Sequence, residues 1–127
     1  MNHLVLIALG GAAGASARHL VGQAALRWIG PEWPYGTLAV NILGGFFMGL
    51  LVGWIAMTGR PDATALRYTL GVGLLGGFTT FSAFSLEVVL MIERKQAAAA
   101  AGYAALSVAG AVAALFVGLM LARKAFA

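Results

Sequence analysis

"GLLGGFTTFSAFSLE", from Gly73 to Glu87, lies inside a long apolar stretch, yet it carries glycines, two threonines, two serines and three phenylalanines. A helix crossing lipid pairs its backbone groups internally and needs neither helix breakers nor hydroxyls. The stretch therefore reads as a span with a second task. It is expected to break at Gly76-Gly77, beside Thr79-Thr80 and near the bilayer middle, roughly 15 Å from either end at 1.5 Å per residue. Carbonyls freed there have no water to satisfy them and need a cation or a partner helix.

The surrounding composition fixes the solvent. Of 127 residues, 61% are hydrophobic and 9% charged, whereas a soluble domain is about half apolar and a quarter charged. Residues 1–127 have room for about four spans of roughly 20 residues, so the chain reads as one all-α integral membrane domain. The expected spans are Leu4 to Trp28, Tyr35 to Thr58, Leu66 to Ile92 and Ala97 to Leu121. Between them lie short polar turns: Gly30-Pro31-Glu32-Trp33-Pro34, Gly59-Arg60-Pro61-Asp62 and Glu93-Arg94-Lys95-Gln96. Trp28, Trp33 and Tyr35 suit the headgroup layer, and the run Ala97 to Ala101 opens a thin helix. Ala15-Ser16-Ala17 resembles a signal-peptide cleavage site, but Met-Asn-His lacks a basic residue, so the segment is read as a retained span.

Several function classes drop out. The chain has no cysteine, which excludes thiolate nucleophiles and thiolate metal sites. Its net charge of +4 comes from residues scattered at segment ends, where cations meet lipid headgroups, and no basic run suits a nucleic acid. No internal repeat suggests an inverted-repeat transporter.

Glycine spacing points to tight helix packing. Gly45, Gly49 and Gly53 recur every fourth residue, as do Gly10 with Gly14 and Gly73 with Gly77; such ridges let backbones approach closely. Polar side chains in the spans form a small set. Thr37 and Asn41 share a helix face; Phe81, Phe84 and Glu87 recur at three-residue spacing, with Thr80, Ser82 and Ser85 on neighbouring faces; Tyr103 and Ser107 are four apart. Each has a packing alternative, since Asn glues helices and Ser bonds back to its own helix. Arg18, about two turns from its span's end, either snorkels or lines an aqueous vestibule.

A proton-coupled cation exporter needs a carboxylate deep in its spans, and Glu87 lies well toward the end of its own. Amide and hydroxyl donors suit an anion, replacing the water it loses, and phenylalanine presents a positive ring edge. The residues alone lead to a small-anion pathway. A small multidrug exporter and a structural membrane subunit are the alternatives.

"GTLAVNILGGFFMG" (Gly36 to Gly49) and "GGFTTFSAFSLE" (Gly76 to Glu87), preceded by "GGAAGASAR" (Gly10 to Arg18), resemble the signature segments of the Fluc fluoride channels, also called CrcB-like proteins. The resemblance covers essentially the whole chain. It implies a passive fluoride channel rather than an enzyme, conferring fluoride resistance at the plasma membrane, or at the inner membrane of a Gram-negative source. The implied assembly is an antiparallel homodimer of dual topology within membrane lipid, with a broken third helix, two pores and a structural sodium ion at its centre. Phe81 and Phe84 match the pore phenylalanines and Asn41 the pore asparagine. Gly76 and Thr79 match the positions whose carbonyls hold sodium, and Arg18 matches the arginine near the pore mouth. Thr80, Ser82, Glu87, Tyr103 and Ser107 match the polar track. Ala83 stands where the family usually shows threonine.

The charge count supports dual topology independently. With four spans, Arg60, Arg67, Arg123 and Lys124 lie on one side and Arg18, Arg27, Arg94 and Lys95 on the other. The positive-inside rule has no excess to act on, and leaving out Arg18, which sits inside a span, gives four against three, a weak bias.

Overall fold

The computed structural model describes residues 2–127 as an all-helical chain. Helix α1 is His3–Trp28, started by Asn2, whose Oδ1 accepts the Leu4 N–H at 2.8 Å. Helix α2, Tyr35–Thr58, follows Pro34 and stops at Gly59, whose φ of 57° lies in the left-handed region that glycine adopts without strain. The third span is composite: α3 (Ala63–Leu66), a π-helix (Arg67–Leu75), α4 (Gly76–Phe78) and α5 (Phe81–Glu93). Helix α6 is Ala97–Ala125. Four helical segments, His3–Trp28, Tyr35–Thr58, Ala63–Glu93 and Ala97–Ala125, are long and apolar enough to cross a bilayer. The chain is a multi-pass membrane protein.

Gly76 and Gly77, expected to interrupt the third span, are helical, with Gly76 at φ −62° and ψ −39°. The extended residues are Thr79 (φ −86°, ψ 158°) and Thr80 (φ −152°, ψ 116°). The reason lies in what each residue contributes. Gly77 supplies closeness: a Cβ there would lie 2.6 Å from the Gly11 carbonyl oxygen of α1. Thr80 supplies a cap: its Oγ1 accepts the Ala83 N–H at 3.1 Å and starts α5, as an N-cap threonine does. Thr79 donates its hydroxyl back to the Leu75 carbonyl at 2.9 Å, closing α4.

Helix α2 makes its most extensive contact with α6, and α1 with the π-helix. Both are backbone-to-backbone interfaces. A Cβ at Gly45 would sit 2.7 Å from the Ala111 carbonyl, and one at Gly49 would run into the Leu115 carbonyl. Across the first pair of helices, Gly10 and Gly14 face the Thr69 and Leu74 carbonyls in the same way. The glycine ridges of the sequence are these contacts.

Leu51, Ile55 and Leu75 form one buried cluster, against which Ala63, Leu66 and Leu70 pack. Met91, Ala100 and Tyr103 form another near the opposite end, with Trp33, Leu38 and Phe84 around it. Large apolar side chains such as Leu20, Val112 and Phe116 face outward, as lipid allows. Outside the spans, Arg60 holds the Asp62 carboxylate through Nε at 2.9 Å and Nη2 at 3.1 Å. That hydrogen bonding keeps the Asp62 carboxyl below the usual carboxylate range.

Candidate functional site

The polar groups of the spans converge on the two extended threonines. In an uninterrupted α-helix the carbonyls of Gly76 and Gly77 would accept from the N–H groups of Thr80 and Phe81, four residues on. Here the Thr80 N–H is given to Asn41 Oδ1 at 2.8 Å, and Asn41 Nδ2 donates to the Thr80 carbonyl at 3.1 Å. One amide side chain of α2 thus serves both backbone polar groups of one residue, Thr80, an arrangement that a primary amide fits because it carries donor and acceptor side by side. Arg18 Nε of α1 donates to the Gly77 carbonyl at 3.1 Å. Two side chains from other helices replace ladder partners that the interruption removes, as buried backbone groups require.

Closer to the end of the span that holds the α1–α2 turn, Glu87 is held at both oxygens. Thr37 Oγ1 donates to Oε1 at 2.6 Å and the Tyr103 hydroxyl donates to Oε2 at 2.7 Å. These are the short distances of hydroxyls bound to a carboxylate. Helices α2, α5 and α6 are thereby joined through one carboxyl group.

Aromatic rings run beside this polar file. The centroids of Phe81 and Phe84 are 5.4 Å apart at an interplanar angle of 45°, and those of Phe84 and Tyr103 are 5.4 Å apart at 44°. Trp33 meets Tyr103 edge-on at 5.8 Å and 78°. Tyr103 is fully buried, whereas Phe81 stands 76% exposed on the outer surface of the chain. Ser107, one turn along α6 from Tyr103, is 6% exposed and its hydroxyl has no hydrogen-bond partner among the described residues.

Two cavities flank Thr80. One, of about 370 Å³, is bounded by Arg18, Gln23, Tyr35, Thr37, Thr80 and Glu87 among others. The second, of about 350 Å³, is bounded by Asn41, Thr79, Thr80, Phe81, Phe84 and Ser107 and by small residues of α2 and α6. Ser82 lies on the outer face of α5, with Oγ 3.3 Å from Thr80 Oγ1. Ala83 presents a methyl group to the first cavity.

The residues singled out in the sequence therefore gather around one feature. Asn41, Thr80, Phe81, Phe84 and Ser107 border one cavity, Arg18 and Glu87 the other, with Tyr103 between Glu87 and Phe84. Gly76 opens α4 and Thr79 is the first extended residue. Among the described residues no group of three or more His, Asp or Glu side chains converges. Thr37 enters the sequence-derived donor track through the face it shares with Asn41, Trp33 enters only as a headgroup-layer aromatic, and His19, which borders the first cavity, does not enter. The four-residue spacing of Thr37 and Asn41 was the signal available for the first. Nothing within one helix marks the other two.

A family model described as "CrcB-like protein, Camphor Resistance (CrcB)" matches residues 5–119. The chain belongs to the CrcB-like family. Relatives at high identity bear the name "Fluoride-specific ion channel FluC". That of Phenylobacterium zucineum (strain HLK1) is 62% identical over 127 residues, covering 100% of both chains. The Caulobacter vibrioides (strain NA1000 / CB15N) protein is 56% identical over 127 residues and the Hyphomonas neptunium (strain ATCC 15444) protein 51%, each again covering 100% of both chains. The CrcB-like match thus spans every element from α1 through most of α6.

Proposed function

We propose that this CrcB-like protein is a passive, fluoride-selective channel, exporting the ion down its gradient without bond chemistry. The observation that carries the reading is the Ser107 hydroxyl, buried and unpartnered on the wall of the cavity that Phe81, Phe84 and Asn41 also border. A buried donor without a partner costs about 1–3 kcal/mol; a small anion that accepts from it recovers that cost. Fluoride, the smallest halide, holds its water most tightly and gains most from fixed donors. The full-length relatives named for fluoride supply the choice of halide.

In this reading the Arg18 mouth concentrates the anion electrostatically. Donor groups of Thr80, Ser82 and Ser107 then take the place of its water, and ring edges of Phe81 and Phe84 provide positive quadrupole beside it. Glu87 orients the Thr37 and Tyr103 hydroxyls and keeps them from rotating freely. The Asn41 amide keeps the Thr80 peptide in its extended form.

The functional unit in this proposal is an antiparallel homodimer with two pores, in which the third span works as a broken helix and the outward Phe81 ring is covered by the identical subunit. The even division of Lys and Arg between the two sides supports insertion both ways. A structural sodium ion belongs at the two-fold axis. The donor set fits it: the Gly76 carbonyl has lost the Thr80 N–H to Asn41, Thr79 is extended, and backbone oxygens are the hard ligands such a cation takes. Gly76 and Thr79 would hold it, and it would supply fixed positive charge. Plasma-membrane location completes the assignment.

Expression in a fluoride-sensitive bacterium lacking its own exporter tests the function. Growth in millimolar fluoride is expected with the unmodified chain and not with Ser107→Ala; equal sensitivity with and without the unmodified chain would refute the assignment.

A further inference from the structure

Arg18 and His19 are consecutive residues of α1, and both border the 370 Å³ cavity. His19 lies roughly 13 Å inside the end of α1 at 1.5 Å per residue, and its side chain is exposed on the helix surface. An ionisable group at that depth faces water or a partner, and marks an ion path when it borders a cavity. The other charged and titratable groups there are few. Arg18 is engaged through Nε with the Gly77 carbonyl. Glu87, across the cavity on α5, has its oxygens occupied by Thr37 and Tyr103. Tyr35 of α2 borders the cavity as a phenol, and the Glu32 carboxylate lies against Gly30 at its rim.

With imidazole neutral, the Glu87 and Glu32 carboxylates outnumber Arg18 and the mouth is net negative. With imidazole protonated, a second cation joins Arg18 and cancels that excess of negative charge. Imidazole is the side chain whose charge changes between pH 5 and 8, and a cavity with low-dielectric walls focuses such a charge on mobile anions.

We infer that His19 is a proton-responsive cationic wall of the channel mouth, which raises anion flux as it gains a proton. The inference rests on the anion-channel reading above. It assigns His19 to ion recruitment, upstream of the donors that replace the ion's water.

Fluoride efflux from liposomes holding the purified protein tests it, at pH 8, 7 and 6 set equally on both faces, with leakage of hydrogen fluoride subtracted using protein-free vesicles. For the unmodified protein, efflux is expected to rise about two- to five-fold from pH 8 to pH 6, the scale of one added charge at a steering mouth. His19→Gln is expected to give a flat profile, and His19→Arg a flat profile above that of His19→Gln. Rescue of high flux by arginine distinguishes charge from packing. A flat profile in the unmodified protein, or a retained pH dependence in His19→Gln, overturns the inference while leaving the channel assignment intact. Absence of protein-dependent efflux at all three pH values overturns both.

Discussion

Asn41 grips Thr80 from both sides of its α-carbon, accepting the N–H at 2.8 Å and donating to the carbonyl at 3.1 Å. The extended conformation between α4 and α5 depends on this pair more than on any glycine. Asn41→Ala should therefore cost about 2 kcal/mol, two hydrogen bonds at about 1 kcal/mol each, and lower fluoride flux at least ten-fold, as read by thermal unfolding in detergent and by liposome efflux. Asn41→Asp keeps the acceptor but sets a negative oxygen against the Thr80 carbonyl, so it should lose flux and be at least as destabilised as Asn41→Ala. Equal flux in the unmodified protein and both variants would return Asn41 to a helix-packing role.

A second test concerns closeness between α2 and the interruption. A Cβ on Gly44 would collide with the Thr79 methyl group. Gly44→Ala should displace Thr79 and reduce flux severely. Thr79→Ser removes the methyl and keeps the hydroxyl that donates to Leu75, so the double variant should recover much of what Gly44→Ala loses. Non-additivity of this kind is the signature of direct contact, and strictly additive losses would show that the two residues act separately.

The phenylalanines are expected to differ from ordinary packing residues. Phe81→Ile and Phe84→Ile keep bulk and lose the quadrupolar ring edge. Both should leave the elution volume on size-exclusion chromatography unchanged while cutting flux sharply. Phe84 also lies 5.4 Å from Tyr103, so its replacement should loosen the α5–α6 contact within the chain. Undiminished flux in both variants would assign the rings to packing.

The spans were legible because lipid imposes a length and a hydropathy that a single sequence displays. Glycine spacing announced the α2–α6 and α1–π-helix contacts, since backbone approach leaves one residue type able to serve. The position of the interruption was not legible in the same way. Gly76-Gly77 carries two meanings, conformational freedom and small size, and the fold uses the second; Thr79 and Thr80 follow from capping, which depends on Asn41 arriving from another helix. The bonds of Glu87 to Thr37 and Tyr103 lie across three helices, and periodicity within one helix says nothing about its neighbours. The π-helix at Arg67–Leu75 left no mark because a hydrogen-bond step from i→i+4 to i→i+5 leaves hydropathy nearly unchanged.

The balance of Lys and Arg yields a prediction on assembly. Adding three lysines to the α2–α3 turn, or separately to the α5–α6 turn, should bias the chain to opposite orientations. Each biased chain alone should fail to protect cells against fluoride, and the two together should protect. Reporter fusions to the carboxyl terminus of the unmodified chain should signal on both faces of the membrane; a signal on one face alone would contradict the antiparallel dimer.

The central claim is that donors around Thr80 and Ser107 pass fluoride without a driving proton. Efflux from liposomes loaded with equal fluoride and chloride, measured with ion-selective electrodes after addition of purified protein, tests it most directly. The account predicts rapid fluoride release, chloride release indistinguishable from protein-free vesicles, fluoride release that needs no imposed pH gradient, and loss of the fluoride signal in Ser107→Ala. Chloride release matching fluoride, or fluoride release that requires a pH gradient, would contradict it.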